Sequence, residues 1–166
     1  MSRRSSVLDL LLRQLHQGFD QRSWHGTNLW GSIRTLDAAR AAWRPQPERH
    51  NIREIVVHAA YWKYRVYRLI SDDPPRSFDL RGSNFFPRPD PAGEVSWDDD
   101  RALLRAWQSR LVQAVQGLEP SRIGERVGND WFTFEDLILG AASHDLYHAG
   151  QIQLLKRLGA SASDGE

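Results

Sequence analysis

The sequence predicts an all-α fold, a four-helix bundle formed by residues 1–166 as a single domain, with a long crossover loop between its second and third helices. Three observations predict this fold. Four segments carry apolar residues at three- and four-residue spacing, no segment alternates as strands do, and residues 72–95 show no helical period. Because that loop can return along the length of a helix, the second and third helices are expected to run in the same direction.

The first helix is expected over about residues 5–22, where one face is apolar. Gly26 and Gly31 then interrupt the pattern, and "TLDAARAAW" predicts a short further helix with Thr35 as its N-cap. The apolar face of the first helix consists of Leu8, Leu11, Leu12, Leu15 and Phe19.

The second and third helices each carry a start signal. In "NIREIVVHAAYWKYRVYRLI", Asn51 can cap the first amides and Glu54 completes a capping-box pair. Ser96 is the candidate N-cap of the third helix, because three aspartates follow in the first turn, where the helix dipole favours negative charge. Gly117 and Pro120 mark its end.

The fourth helix is the longest that the pattern predicts. It is expected to begin near Thr133, whose hydroxyl can cap it together with Asp136. A basic last turn followed by Gly159 predicts its end.

The composition narrows the class of protein. The 22 basic and 21 acidic residues give no field that would attract nucleic acid, and no apolar run is long enough for a membrane span, so we expect a cytoplasmic protein that acts on a small molecule. The chain has no cysteine. A metal site would therefore use His, Asp or Glu, and thiol chemistry would need a thiol from a second molecule.

Two histidines of the fourth helix lie within its apolar stripe. With about 100° per residue, His144 and His148 fall within roughly 60° of Leu137, one turn apart, so both imidazoles can converge on one point. A pair of satisfied core histidines is the alternative. It is the weaker one, because two neighbouring imidazoles on an apolar stripe have few local partners for their donors and acceptors, whereas a shared cation satisfies both.

A third histidine has a suitable position on the second helix. His58 lies at the edge of that helix's apolar face, where it can point inward. Three imidazoles from two helices of a bundle would leave coordination positions open for water or substrate, which is typical of catalytic sites. The sequence therefore predicts a metal site formed by His58, His144 and His148, with zinc, nickel, iron or copper as candidate ions.

Several neighbouring residues are weaker candidates. Gln151 can hydrogen-bond a ligand imidazole, whereas Tyr147 is expected to be partly buried with a wet hydroxyl unless it serves the site. Trp24 and His25 either pack as an aromatic turn or lie at the rim of the pocket. His50 is expected to be a solvated loop residue without a role as a ligand.

Three stretches together resemble the DinB/YfiT-like superfamily of metalloenzymes: "WHG", "IREIVVHAAYWKY" and "ASHDLYHAGQIQLLKRL". The resemblance implies a four-helix bundle with parallel second and third helices, and metal ligands at His58, His144 and His148. It also implies a homodimer. Characterised members include S-transferases and isomerases that use a low-molecular-weight thiol with zinc, nickel or iron.

Two functions follow as hypotheses. The first is a metal-dependent transferase or hydrolase in which the ion acts as a Lewis acid towards a thiol or water, with catalytic residues left unassigned. The second is a non-catalytic, metal-binding stress-response protein in which the ion holds the bundle together. Three histidines beside a reachable cavity favour the first, and a closed fourth protein ligand favours the second.

Overall fold

The computed structural model describes residues 4–74, 76–88, 94–128 and 131–163, and helices are the main regular elements of these residues. Within them no strand forms, and an isolated bridge pairs Arg126 with Thr133. The predicted all-α fold is confirmed. The helices are α1 Arg4–Phe19, α2 Leu29–Ile33, α3 Ala38–Ala42, α4 Ile52–Ile70, α5 Glu94–Gln116 and α6 Phe134–Ser163, with a 3-10 turn at Pro120–Arg122.

The four long helices α1, α4, α5 and α6 contribute to the main apolar core. Helix α4 packs most extensively on α5, and α6 packs on both α1 and α4. Arg53 near the start of α4 contacts Asp100 in the first turns of α5, whereas Tyr67 near the end of α4 contacts Trp107 further along α5. Contacts thus advance in the same order along both helices. The full course of the connection stays a prediction, because residues 75 and 89–93 lie outside the described part.

Helix boundaries correct several details of the sequence analysis. Helix α1 ends at Phe19 rather than near residue 22, and Gly31 lies inside the short helix α2 instead of breaking the chain. The N-cap of α3 is Asp37, whose carboxylate accepts from the Arg40 amide, so the assignment to Thr35 was wrong. Thr35 and Asp37 are both suitable N-cap residues, and the sequence pattern alone does not decide between them.

Ser96 does not cap α5, because that helix begins at Glu94. Its hydroxyl instead accepts a hydrogen bond from the guanidinium of Arg53. Arg53 also donates to the carboxylate of Asp100, which forms a second ion pair with Arg88 of the connecting segment. This buried cluster joins α4, α5 and the connection, and it satisfies charges that would otherwise be costly to bury.

Helix α6 begins as the sequence predicts and ends later. The Thr133 hydroxyl accepts from the Asp136 amide, and the Asp136 carboxylate accepts from the Thr133 amide, so the reciprocal cap is confirmed. The helix continues past Gly159 to Ser163. A Cβ at Gly159 would lie 3.2 Å from the Trp43 ring, so the glycine admits a close contact instead of ending the helix. In the described part of the chain, no helix has both the length and the apolar character to cross a bilayer.

Candidate metal centre

Three imidazoles meet between α4 and α6. The Nε2 atom of His144 lies 3.2 Å from that of His58 and 3.0 Å from that of His148. His58 and His148 are buried, and His144 is partly buried. Helical geometry accounts for the pair on α6, because residues four apart lie one above the other on the same face. The structure therefore brings together all three histidines that the sequence singles out.

A backbone carbonyl fixes the orientation of the His58 ring. Its Nδ1 lies 2.9 Å from the carbonyl oxygen of Asn84, which can only accept, so this nitrogen carries the hydrogen and Nε2 keeps its lone pair. Asn84 has a positive φ of 66°, a conformation that asparagine tolerates better than most residues. The indole of Trp62 donates to the Asn84 side chain at 3.0 Å and holds that turn in place.

A side-chain amide fixes His148 in the same way. The Nδ1 of His148 lies 2.7 Å from Oε1 of Gln151, and the amide nitrogen of Gln151 donates to the Tyr147 hydroxyl at 3.0 Å. Because the amide oxygen faces the ring, Nδ1 is the donor and Nε2 is again the acceptor. Gln151 thus occupies the orienting position that the sequence suggests, and Tyr147 reaches the same network although it is 64% exposed.

Burial keeps all three imidazoles neutral. It lowers the pKa of His144 to about 3, with additional repulsion from His148 and His58. Burial likewise lowers the pKa of His148 to about 4, against the opposing effect of the hydrogen bond to Gln151. The pKa of His58 is also lowered, mainly by burial. Neutral imidazole is the form that binds a metal ion.

The donor set fits a divalent transition metal. In the neutral rings of His58 and His148, both Nε2 atoms present lone pairs towards the same point, and the single proton of His144 can satisfy only one of them. Nitrogens bound tetrahedrally at about 2.0 to 2.1 Å from one ion lie roughly 3.3 Å apart, close to the two measured separations. A cation at this point would satisfy all three lone pairs.

The histidine group opens onto a cavity of about 650 Å³ between α6 and the segment that precedes α4. Most of the surface of its wall is apolar, and Arg49 and Gln46 are among the polar residues that line it. The remaining lining residues are Pro45, His50, Ile55, His58, Phe85, His144, Tyr147, His148, Gln151, Leu154, Leu155 and Leu158.

Comparison with known protein families agrees with this architecture. The sequence model of the DinB superfamily matches residues 21–152. The chain belongs to the DinB superfamily. That match includes all three histidines of the group. Neither curated proteins nor solved structures gave a match. Superfamily membership and the three-histidine group are together compatible with a metal-binding protein.

This DinB-superfamily chain also carries a polar network that the sequence analysis missed. His50 is a half-exposed loop residue before α4, as predicted, but it also has partners that were not predicted: its Nδ1 lies 2.9 Å from Oε2 of Glu54, and its ring stacks on Phe85 at 3.7 Å. The opposite face of Phe85 stacks on His58 at 4.0 Å. Arg44 donates to both oxygens of Glu54, at 2.9 and 2.6 Å.

Glu54 does not cap α4 with its side chain, contrary to the prediction. Asn51 caps the Glu54 amide, but the Glu54 carboxylate turns to Arg44 and His50 and does not complete a capping box. Burial on its own raises the pKa of Glu54, yet the hydrogen bonds from Arg44 and His50 outweigh it and lower the pKa to about 2. The spacing of His50 and Glu54, four residues apart, was the available signal, but Arg44 is distant in sequence.

The other candidates have varied positions. Asp145 is buried and forms an ion pair with Lys63 of α4. Phe85 lines the cavity. Trp24 and His25 are exposed, and neither is among the described residues that line the cavity.

Proposed function

We propose that this DinB-superfamily protein is a metal-dependent enzyme, a transferase or hydrolase for a small electrophilic molecule, with His58, His144 and His148 as the metal ligands. The observation that carries the proposal is the convergence of three Nε2 atoms at the wall of a large cavity. The Nε2 atom of His144 lies within 3.2 Å of both the others. Zinc, nickel and iron all suit three imidazole ligands.

The open side of the group supports catalysis. Among the described residues, the cluster of metal-binding side chains contains only the three histidines, so a bound ion would keep positions for other ligands. Such an ion would supply Lewis-acid chemistry, which polarises a substrate group or favours ionisation of a water or thiol. Asn84 and Gln151 accept hydrogen bonds from the Nδ1 atoms of His58 and His148, and so fix the orientation of these two rings.

The cavity wall indicates the kind of substrate. Leu154, Leu155 and Leu158 of α6 line it together with Pro45 and Phe85, which suits an apolar body of ligand size. Since the chain contains no cysteine, any transferred sulfur nucleophile would be a low-molecular-weight thiol cosubstrate.

The proposal is tested with the protein loaded separately with zinc, nickel and iron. Each form is incubated with a panel of alkyl and epoxide electrophiles plus a low-molecular-weight thiol, and with a panel of activated esters and amides without thiol. We expect turnover that disappears on chelation and returns when the ion is restored. His144→Ala should abolish both ion binding and turnover, whereas His16→Ala, which leaves the group intact, should abolish neither.

A structural role for the ion is the alternative, and one observation favours it. The three ligands belong to two helices, so an ion would link α4 to α6 across the core. A structural ion predicts a large fall in melting temperature on chelation with no metal-dependent turnover in either panel. Metal-dependent turnover of any substrate in the panels rejects this alternative.

A further inference from the structure

A fourth imidazole, that of His50, lines the same cavity without belonging to the three-histidine group. It precedes α4, and its side chain is 48% exposed. Two stacking contacts, of 3.7 Å to Phe85 and of 4.0 Å from Phe85 to His58, separate it from the nearest proposed metal ligand. The interplanar angles are 5° and 9°, so the three rings stand parallel at one wall of the cavity.

The carboxylate of Glu54 determines which nitrogen of His50 is the basic one. A carboxylate only accepts hydrogen bonds, so the Nδ1 atom at 2.9 Å carries the hydrogen, and Nε2 holds the lone pair of the neutral ring. Glu54 is only 5% exposed and is anchored by two hydrogen bonds from Arg44. Among the described residues, none forms a hydrogen bond with the His50 Nε2 atom.

This arrangement has the parts of a proton-transfer dyad. An imidazole oriented through Nδ1 by an ionised carboxylate, with a free Nε2 at a substrate cavity, is the arrangement used for general acid and base catalysis. The other candidate, Tyr147, uses its hydroxyl to accept from Gln151. Among the described residues, the other charged or titratable groups that line the cavity are Arg49 and the imidazoles of His58, His144 and His148. Arg44 is held on Glu54.

We propose that His50 is the general base and acid of the cavity, with Glu54 as its positioning residue; this rests on the proposed function. The His50 Nε2 atom takes the proton from the O–H of a water or the S–H of a thiol while the oxygen or sulfur electron pair forms the new bond to the electrophilic carbon. The resulting imidazolium returns that proton to the leaving group as its bond to the carbon breaks. Proton transfer of this kind contributes about 10²-fold or more to a rate.

The first test uses the full chain loaded with zinc and 4-nitrophenyl acetate as the probe. His50→Gln and His50→Phe are compared, because the first preserves a donor to Glu54 and the second preserves the stack on Phe85. Both should lose about 10²-fold in the metal-dependent kcat/KM while zinc content and melting temperature stay unchanged. His16→Gln, a matched histidine substitution away from the cavity, should retain the wild-type rate. Wild-type turnover in both His50 variants would overturn the proposal.

The second test does not depend on turnover. Diethyl pyrocarbonate acylates unprotonated imidazole nitrogens, and mass spectrometry can follow each histidine separately. His50 should react several-fold faster than the exposed His25, and Glu54→Gln should remove that difference. Should zinc-loaded protein fail to turn over the probe at all, the proposed hydrolytic function fails for this probe, and the acylation rates still decide the role of His50. Equal rates for His50 and His25 would overturn it.

Discussion

At the scale of single residues, the geometry of the site depends on the hydrogen-bond acceptors of the His58 and His148 Nδ1 atoms. Helical periodicity was enough to place His58, His144 and His148 on inward faces, because it depends only on spacing along one helix. Periodicity could not predict the partner of His58, because that partner is the backbone carbonyl of Asn84 in a loop, and a backbone group does not depend on the residue type. Gln151 was within reach of prediction because it lies on the same helix as His148.

Gln151→Ala should weaken metal binding by about 10- to 100-fold, which is the usual effect of removing an orienting partner of a histidine ligand. The imidazole of His148 would lose the acceptor that fixes its ring and tautomer. Titration of metal-free protein with zinc, against a competing chelator, measures the change. Gln153→Ala is the matched control on the same helix and should leave the affinity unchanged. Equal affinities for the two variants would contradict the orienting role.

Acid should destabilise the metal-free protein well above the pH at which its buried histidines titrate. In the folded chain the pKa values of His144 and His148 lie at about 3 and about 4, whereas the ordinary value is 6.5. Between pH 6.5 and about 4 the unfolded chain therefore binds protons that the folded chain does not, so the free energy of unfolding falls as pH falls.

Denaturant unfolding at pH 7 and pH 5, with a chelator present, measures this loss. Each such proton contributes up to ~1.4 kcal/mol per pH unit. His144→Gln removes one of these groups and should lose less stability over this interval than the wild type, whereas His16→Gln serves as the control. An identical pH dependence in His144→Gln and the wild type would contradict the assignment.

At the scale of helices, close backbone contact explains features that propensity does not. Gly18 lies in α1 against α6, where an added Cβ would come within 2.9 Å of the Ala142 carbonyl oxygen. The predicted helix boundaries at Gly31 and Gly159 were wrong because each glycine was treated as a helix breaker, although both residues lie within helices. Gly159 instead permits the close contact with Trp43. Sequence periodicity does not register contacts between distant segments.

Gly18→Ala should destabilise the protein by about 1 to 3 kcal/mol, because the contact with a backbone atom of α6 cannot relax cheaply. Gly150→Ala is the matched control within α6, since an added Cβ there meets nothing within 4 Å. It should stabilise the protein by roughly 0.5 to 1 kcal/mol through helix propensity. Chemical denaturation of both variants measures the two changes. A stabilising effect of Gly18→Ala would contradict the close α1–α6 packing.

At the scale of the whole molecule, the bundle joins its helices through charge as well as through apolar packing. Lys63 of α4 pairs with Asp145 of α6, and Arg53 of α4 pairs with Asp100 of α5, with all four side chains at most 2% exposed. The sequence predicted the fold class and the inward faces from local patterns. Local patterns could not predict the two buried ion pairs, because their partners are separated by 47 and by 82 positions in the sequence.

The three histidines at the wall of the cavity carry the functional conclusion. The central claim is that they form one metal centre. The most direct measurement is the metal content of the purified chain after loading with zinc and removal of excess ion, for the wild type and for His58→Ala, His144→Ala, His148→Ala and His16→Ala. About one ion per chain is expected in the wild type and in His16→Ala, with loss in each of the other three. Retention of the ion by those three variants would contradict the claim.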